Sequence, residues 1–365
     1  TMIQNGLKEA EAKGFQYPAG VKTQYDDTMQ ALKDTAVGSG TTVKKYLQQN
    51  LGSTMTEKVY GQELLRTLQY QAYANAYSDE LTYSDQEIQD AYNADPKTYD
   101  RASWEYVVVS GAAESTTDAD GNTVQPTDEE TAAAKEAAKE TADKILAAYK
   151  SGTSLESAAG SYEKATYYDT RDASYYDGVI GNWLFDDARQ SGDTDVLEVN
   201  DDYYVAVFHD RYLEESNTVS VRHILVMPEA GTKTSDEEGY DEEQEQLKAA
   251  ARTKAEEILA QWKSGEATED SFAQLALENS ADGSKYDAGL YTRATTAWAV
   301  EEFNDWCFDA SRKDGDTGIV DTTYGSHVMY FVGYDLPAWA ASVTSDLQEK
   351  ASSEWSTALS ENADV

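Results

Sequence analysis

The chain contains the same pattern twice. "ADKILAAYKSG" (142–152) returns as "AEEILAQWKSG" (255–265), and "NWLFDDARQSGDTD" (182–195) returns as "DWCFDASRKDGDTG" (305–318). The second match runs on without a gap. Trp183, Phe185, Asp186, Arg189, Gly192, Asp193, Thr194 and Val205 stand against Trp306, Phe308, Asp309, Arg312, Gly315, Asp316, Thr317 and Val328 at a constant offset. Upstream, "SWEYVVV" (103–109) stands against "SVRHILV" (220–226), so the correspondences keep their order. Self-similarity on this scale marks a duplicated structural unit, and any fold for the chain must build one module two times.

Each copy reads as strand, polar loop, amphipathic helix, second helix, short apolar strand, helix, Gly-Asp turn and final strand. This predicts an α+β module with a mixed or antiparallel sheet covered by helices. In the second copy Ala251, Ala255, Ile258 and Trp262 share one face of the long helix, with Gly265 as its C-cap. "DAGLY" and "TGIVDT" are expected to be short strands and "SHVMYFVGYD" the closing one. The flanks differ in kind. Residues 1–98 are helical by period, as in Tyr60, Leu64, Leu68 and Ala72 on one face. After 335, Pro337 suits a first helical position, and Trp339, Val343, Leu347, Ala351, Trp355 and Leu359 form an i, i+4 stripe. A lone helix with such a stripe needs a partner. The two chain ends are therefore expected to form one all-α domain with both repeats inserted in it.

Composition narrows the function. A formal net charge of -39 repels nucleic acid and anionic lipid surfaces, which removes those partner classes. A single cysteine, Cys307, excludes an internal disulfide. No run of apolar residues reaches the length of a membrane span. The chain opens in helical sequence without a starting methionine, so an export signal or lipid anchor, if the protein has one, is expected upstream of Thr1.

The chain has three histidines, His209, His223 and His327. His223 and His327 fall on the first and last strands of the second copy, where the first copy has Tyr106 and Tyr204. If those strands are neighbours, the two rings can face each other. Two histidines and an aspartate are also the makings of a metal triad. "TTDADGNTVQPTDEE" (116–130) has Asp118, Asp120 and Gly121 at calcium-loop spacing, but position twelve is Thr127 and the bidentate acid is missing, so a polar hairpin or loop is expected.

"VRHILV", "FAQLALENSADGS", "GL", "EEFNDWCF" and "GDTGIVDTTYGSHVMY" follow one another as the landmarks of the parvulin-type peptidyl-prolyl cis/trans isomerases do. The second copy resembles that family over about 218–335, and the whole chain resembles a PrsA/SurA-type extracytoplasmic foldase. The resemblance implies roles. His223 and His327 would be the histidine pair. Asp282 would stand where the family has an acidic residue or a cysteine, with a one-residue gap past Ala281, and Thr322 would be the hydroxyl of the network. Leu290 and Phe303 would line the proline pocket. A pocket methionine is expected near Ala299, where this chain has "AWAV" with Trp298 adjacent. The implied division is a helical chaperone-like segment (1–100), a degenerate and inactive parvulin-like domain (101–215), a parvulin-type isomerase domain (216–335) and a C-terminal helix completing the helical domain (336–365).

The chemistry needs no cofactor, metal or nucleophile, because rotating an X-Pro bond breaks no bond. The implied clients are unfolded or folding polypeptides outside the cytoplasmic membrane, with membrane contact only through a lipid anchor. A second reading is a holdase that binds clients and whose altered pocket has lost catalysis. Cys307 aligns with Leu184, so its site accepts a plain hydrophobe.

Overall fold

The computed structural model describes residues 1–296 and 298–361. Its elements segregate as the periodicity predicts. Helices α1 (Met2–Ala12), α2 (Ala19–Gly38), α3 (Val43–Leu51) and α4 (Glu57–Glu80) come first, then α5 (Asp85–Ala94) and the short α6 (Pro96–Tyr99). The first copy follows as β1 (Arg101–Val109), β2 (Thr116–Thr117), β3 (Thr123–Val124), α7 (Asp128–Lys150), α8 (Leu155–Ala159), β4 (Ala165–Ser174), α9 (Val179–Leu184), β5 (Thr194–Val199) and β6 (Asp202–Tyr212). The second copy is β7 (Asn217–Val226), α10 (Tyr240–Ser264), α11 (Glu269–Asn279), a 3-10 turn (Gly283–Asp287), β8 (Leu290–Ala294), α12 (Glu301–Cys307), β9 (Thr317–Thr322) and β10 (Gly325–Pro337). Helix α13 (Ala338–Glu361) closes the described chain. The architecture is α+β, and it divides into two compact units, Thr1–Asp85 with Ser216–Val365, and Gln86–Glu215. Among the described residues no helix is long and apolar enough to cross a membrane.

Each repeat builds a four-stranded sheet, in the order β4-β1-β6-β5 in the first and β8-β7-β10-β9 in the second. Every pairing in both sheets is antiparallel. The register also repeats. Tyr106 lies opposite Ala206 and Val108 opposite Tyr204 in the first sheet. His223 lies opposite Met329 and Leu225 opposite His327 in the second. Because side chains alternate across a strand, this shared register puts Tyr106 with Tyr204, and His223 with His327, on one face and diagonal to each other.

The second sheet is buried on both faces. Ile224, Val226 and Val328 pack under α10 and α11 through Ala251, Ala255, Ile258, Trp262 and Phe272. Val219, Val221, Met329 and Phe331 form the opposite core with Phe303 and Cys307 of α12. Full burial of side chains of this size contributes about 1.5–3 kcal/mol each. The first sheet does the same with Val107, Val109, Val205 and Val207 against α7 and α8, and with Trp104, Ala206 and Phe208 against Trp183 and Leu184 of α9.

The duplicated "W-x-F-D-x-x-R" sequence forms one clasp in two places. The guanidinium of Arg189 lies 4.1 Å from the Trp183 ring centre and that of Arg312 lies 4.0 Å from the Trp306 ring centre. Each arginine Nε also donates to the carbonyl of its own tryptophan, at 2.9 Å and 3.0 Å. The 116–130 stretch contributes the β2–β3 hairpin, closed by Asp118, which accepts from the amides of Asp120 and Asn122. After it, a capping box of Thr127 and Glu130 starts α7.

The C-terminal helix finds its partner in α1 and α4. Trp355 stacks on Tyr77 with ring centres 4.4 Å apart and donates to Glu9 at 3.2 Å, while Tyr73 donates to the same carboxylate at 2.9 Å. Asn5 donates to the carbonyl of Leu359 at 2.8 Å, a link between residues from opposite ends of the chain. Pro337 ends β10 opposite Asn217, and the helix begins at Ala338, one residue later than a proline-first helix would.

Candidate functional site

The site grows from the two central strands of the second sheet. The diagonal placement of His223 and His327 brings their Nδ1 atoms to 3.1 Å, and both rings are buried, 2% and 5% exposed. Beyond this contact, His327 Nε2 lies 2.8 Å from Thr322 Oγ1 at the end of β9. His223 Nε2 lies 3.2 Å from both Asp282 Oδ2 and Ser284 Oγ. Asp282 caps the 3-10 turn, accepting from the Ser284 amide at 2.8 Å and from the Tyr291 hydroxyl at 2.9 Å. His223, His327, Asp282 and Thr322 therefore share one connected network.

The charges in this network assign its proton order. The hydrogen bond from His223, reinforced by Ser284 and opposed by burial, holds the Asp282 carboxyl well below the usual carboxylate range. An ionised carboxylate only accepts, so His223 Nε2 carries the proton between them. The Nδ1–Nδ1 contact holds one further proton between the two rings, and Thr322 Oγ1 meets the far side of the pair at His327 Nε2. Burial, with the neighbouring His223 second, pushes His327 down to about 4, which keeps that ring neutral at physiological pH. Burial and the Asp282 contact push the Tyr291 phenol up to about 12, so it remains a donor.

An aromatic wall stands over the pair. Phe303 meets both imidazoles edge-on, with ring centres 5.2 Å from His223 and 5.3 Å from His327. Trp298 packs on Phe303 at 5.5 Å and on Tyr291 at 4.7 Å, and its buried Nε1 has no hydrogen-bond partner among the described residues. Ala299 packs on the same core, with its amide and carbonyl held by the Asn304 side chain. Met329, fully buried, forms the floor.

Leu290 is the exception. It pairs with Arg222, whose guanidinium turns to Glu269 of α11 at 2.9 Å, so alternation sends Leu290 to the helix-covered face. A pocket-lining place for Leu290 is therefore corrected. Its neighbour Tyr291 pairs with Val221 and stands against His223, with ring centres 5.5 Å apart. Sequence reasoning missed Tyr291, Ser284 and Met329. The usable signal was parity: once His223 faces the site, so does Val221, and so does whatever pairs with Val221.

The turn reaches the histidine because the backbone closes tightly. His223 N donates to the Gly289 carbonyl at 2.9 Å, and Gly289 has φ +76° with the space for a Cβ only 2.4 Å from the His223 carbonyl oxygen. No side chain fits there. His209 lies elsewhere, on β6, 3.7 Å from Glu105. Cys307 is fully buried in the α12 core, and burial pushes its thiol up to about 12. It is a packing residue, as its alignment with buried Leu184 implies.

Residues 203–332 match the family model of the PPIC-type PPIase domain. No curated protein matches the chain. Among solved structures, the chain is similar to the peptidylprolyl isomerase PrsA of Bacillus anthracis at 19% identity, covering 40% of this chain and 58% of that one, with a TM-score of 0.25. It is similar to the PPIase domain of TbPAR42 at 26% identity, over 31% of this chain and 98% of that one, with a TM-score of 0.24. PrsA of Bacillus subtilis matches at 13% identity over 95% of this chain and 84% of that one, with a TM-score of 0.30.

Proposed function

We propose that this chain, which carries a PPIC-type PPIase domain over residues 203–332, is a foldase that isomerises X-Pro bonds in unfolded polypeptides and holds those clients with its helical domain. The observation that supports this most is the buried His223–His327 pair, 3.1 Å apart and tied to Asp282 and Thr322, beneath an aromatic wall.

The X-Pro bond resists rotation by roughly 18–20 kcal/mol because amide resonance makes the C–N bond partly double. In the twisted state the nitrogen and carbonyl are no longer conjugated. An enzyme lowers the barrier by seating the proline ring in an apolar, dry site and presenting fixed dipoles to that twisted amide. Phe303, Met329, Tyr291 and Trp298 supply the apolar seat. The histidine pair, with protons ordered from Thr322 to Asp282, supplies the preorganised dipoles.

The four segments 1–100, 101–215, 216–335 and 336–365 would then serve as helical client-binding part, inert repeat, isomerase and closing helix. The first repeat has Tyr106 and Tyr204 in place of the histidines and passes from α8 to β4 without the 3-10 turn. It would bind or space clients without turnover. An extracytoplasmic setting with a lipid anchor rests on the sequence resemblance alone, and cell fractionation tests it.

A pure holdase is the second reading. It is favoured by Ala299, and by the packing of Trp298 between Tyr291 and Phe303 at 4.7 and 5.5 Å, which narrows the seat. A proline-limited refolding assay with the full chain separates the two. Wild type should accelerate refolding, and His327→Ala should lose about a hundredfold, the scale of removing one fixed dipole from a transition-state site. No acceleration by the wild type would leave the holdase.

A further inference from the structure

The 3-10 turn that carries Asp282 and Ser284 is weak in itself. It is five residues long, and it exits through two consecutive left-handed residues, Ala288 at φ 55° and Gly289 at φ +76°. Short 3-10 segments have poor hydrogen-bond geometry, and a non-glycine residue in the left-handed region is strained. Something outside must hold such a turn if its side chains are to meet His223 at 3.2 Å.

Its inner side is tied to β7. Ala281 N donates to the Leu225 carbonyl at 2.9 Å, and the Arg222 guanidinium donates to the carbonyls of Asp287 and Ala288 at 3.3 and 3.0 Å. Its outer side is held by α2, which belongs to the same compact unit. Asp27 Oδ2 accepts from Lys285 Nζ at 2.9 Å and from the Tyr286 hydroxyl at 3.2 Å, so one carboxylate grips two consecutive residues of the turn. Two helical turns back, Gly20 is buried, and a Cβ there would lie 1.7 Å from the Tyr286 carbonyl oxygen. The backbones of α2 and the turn thus meet at a distance only glycine permits.

We propose that Gly20 and Asp27 of α2 are positioning residues for isomerisation: the helical domain clamps the outside of the 3-10 turn and thereby sets Asp282 and Ser284 against His223. The inference rests on the isomerase reading above. It makes the helical domain a supporting wall of the catalytic site as well as a client-binding surface, and anything that moves α2 will move the carboxylate that orders the histidine protons. The effect is one of position. Lys285 and Asp27 are 20% and 42% exposed, so water partly screens the pair from the Asp27 side and its removal is expected to leave the fold standing.

The test uses the full chain with Asp27→Ala, Lys285→Ala, Gly20→Val and the double reversal Asp27→Lys with Lys285→Asp. Two readouts are taken: kcat and KM on a proline-containing peptide, and the ring-nitrogen NMR signals of His223 and His327. Groups facing the pair, which the spectra will sense, are Asp282, Tyr291, Ser284, Thr322 and, more distantly, Asp321. Asp27→Ala should lower kcat about tenfold with KM little changed, since a sub-ångström misplacement of a catalytic group costs on that order. Gly20→Val should lower it further. His223 signals should shift in both, and the double reversal should restore kcat and signals together. Unchanged kcat and unchanged His223 signals in Asp27→Ala would overturn the clamp, as would a kcat loss without a His223 change. If the wild type itself does not isomerise, the functional reading fails, and the His223 signals alone still decide the clamp: a shift supports it and no shift overturns it.

Discussion

The two repeats share strand order, register and the Arg-Trp clasp, yet only one of them assembles a polar network at its centre. At the same diagonal positions the first has Tyr106 and Tyr204, ring centres 5.7 Å apart, with Tyr106 also stacked on Trp104 and Tyr168, where the second has its hydrogen-bonded histidines. The second also inserts a 3-10 turn that supplies Asp282 and Ser284. The comparison teaches that the sheet is a scaffold indifferent to what stands on it. Two side chains and one short insertion separate an aromatic stack from a proton-ordered pair.

The largest way to break the comparison is through the helix layer. Phe272 stands four residues past the N-cap Thr268 and is fully buried, while the first repeat has Ala158 four residues past the N-cap Ser154. Phe272→Ala should cost about 3–5 kcal/mol in urea unfolding, because the second repeat would be left with a cavity that the first never has to fill.

Acid should separate the repeats next. His327 titrates at about 4 in the folded protein against an ordinary value of 6.5, so between those values the unfolded chain binds the extra proton. Stability therefore rises with pH across that window, and acidification from above 6.5 to about 4 should remove up to roughly 3 kcal/mol. Asp282, depressed below its ordinary value, acts in the same direction at lower pH. Tyr106 and Tyr204, both raised above 10 by burial, change no charge there. Urea melts at neutral and acid pH, with His327→Gln flattening the difference, check this.

A smaller effect should be equal in the two halves. Arg189→Ala and Arg312→Ala each remove a guanidinium 4.1 or 4.0 Å from a tryptophan ring and one bond to a backbone carbonyl. Each should cost about 1–2 kcal/mol, and the two values should agree within experimental error in paired thermal melts. The smallest effect is a null. Tyr106→His with Tyr204→His should produce no isomerase activity from the first repeat, since no carboxylate turn follows α8 there to order the rings. Activity in that variant, measured in a His327→Ala background, would show that the pair alone suffices.

Much of this was readable before any coordinates. The duplication and the helical character of both chain ends follow from patterns in one strand or one helix face at a time, while the pairing of His223 with His327 was readable only on the condition that their strands are neighbours. Leu290 and Tyr291 show where such reading stops. They are adjacent in one short strand, and which of them faces the histidines depends on how β8 pairs with β7, a choice that local composition does not encode. The sheet's uniformly antiparallel pairing was likewise undetermined by strand order in sequence.

Local pattern thus decided the module, its repetition and the residue types of the site, because hydrophobic period and residue identity are properties of a segment by itself. Register, the inward turn of Tyr291, the grip of Asp27 on the 3-10 turn and the joining of Asn5 to Leu359 were decided only when segments met. These are relations between chain stretches up to 354 positions apart, and their energies exist only once the backbone has closed.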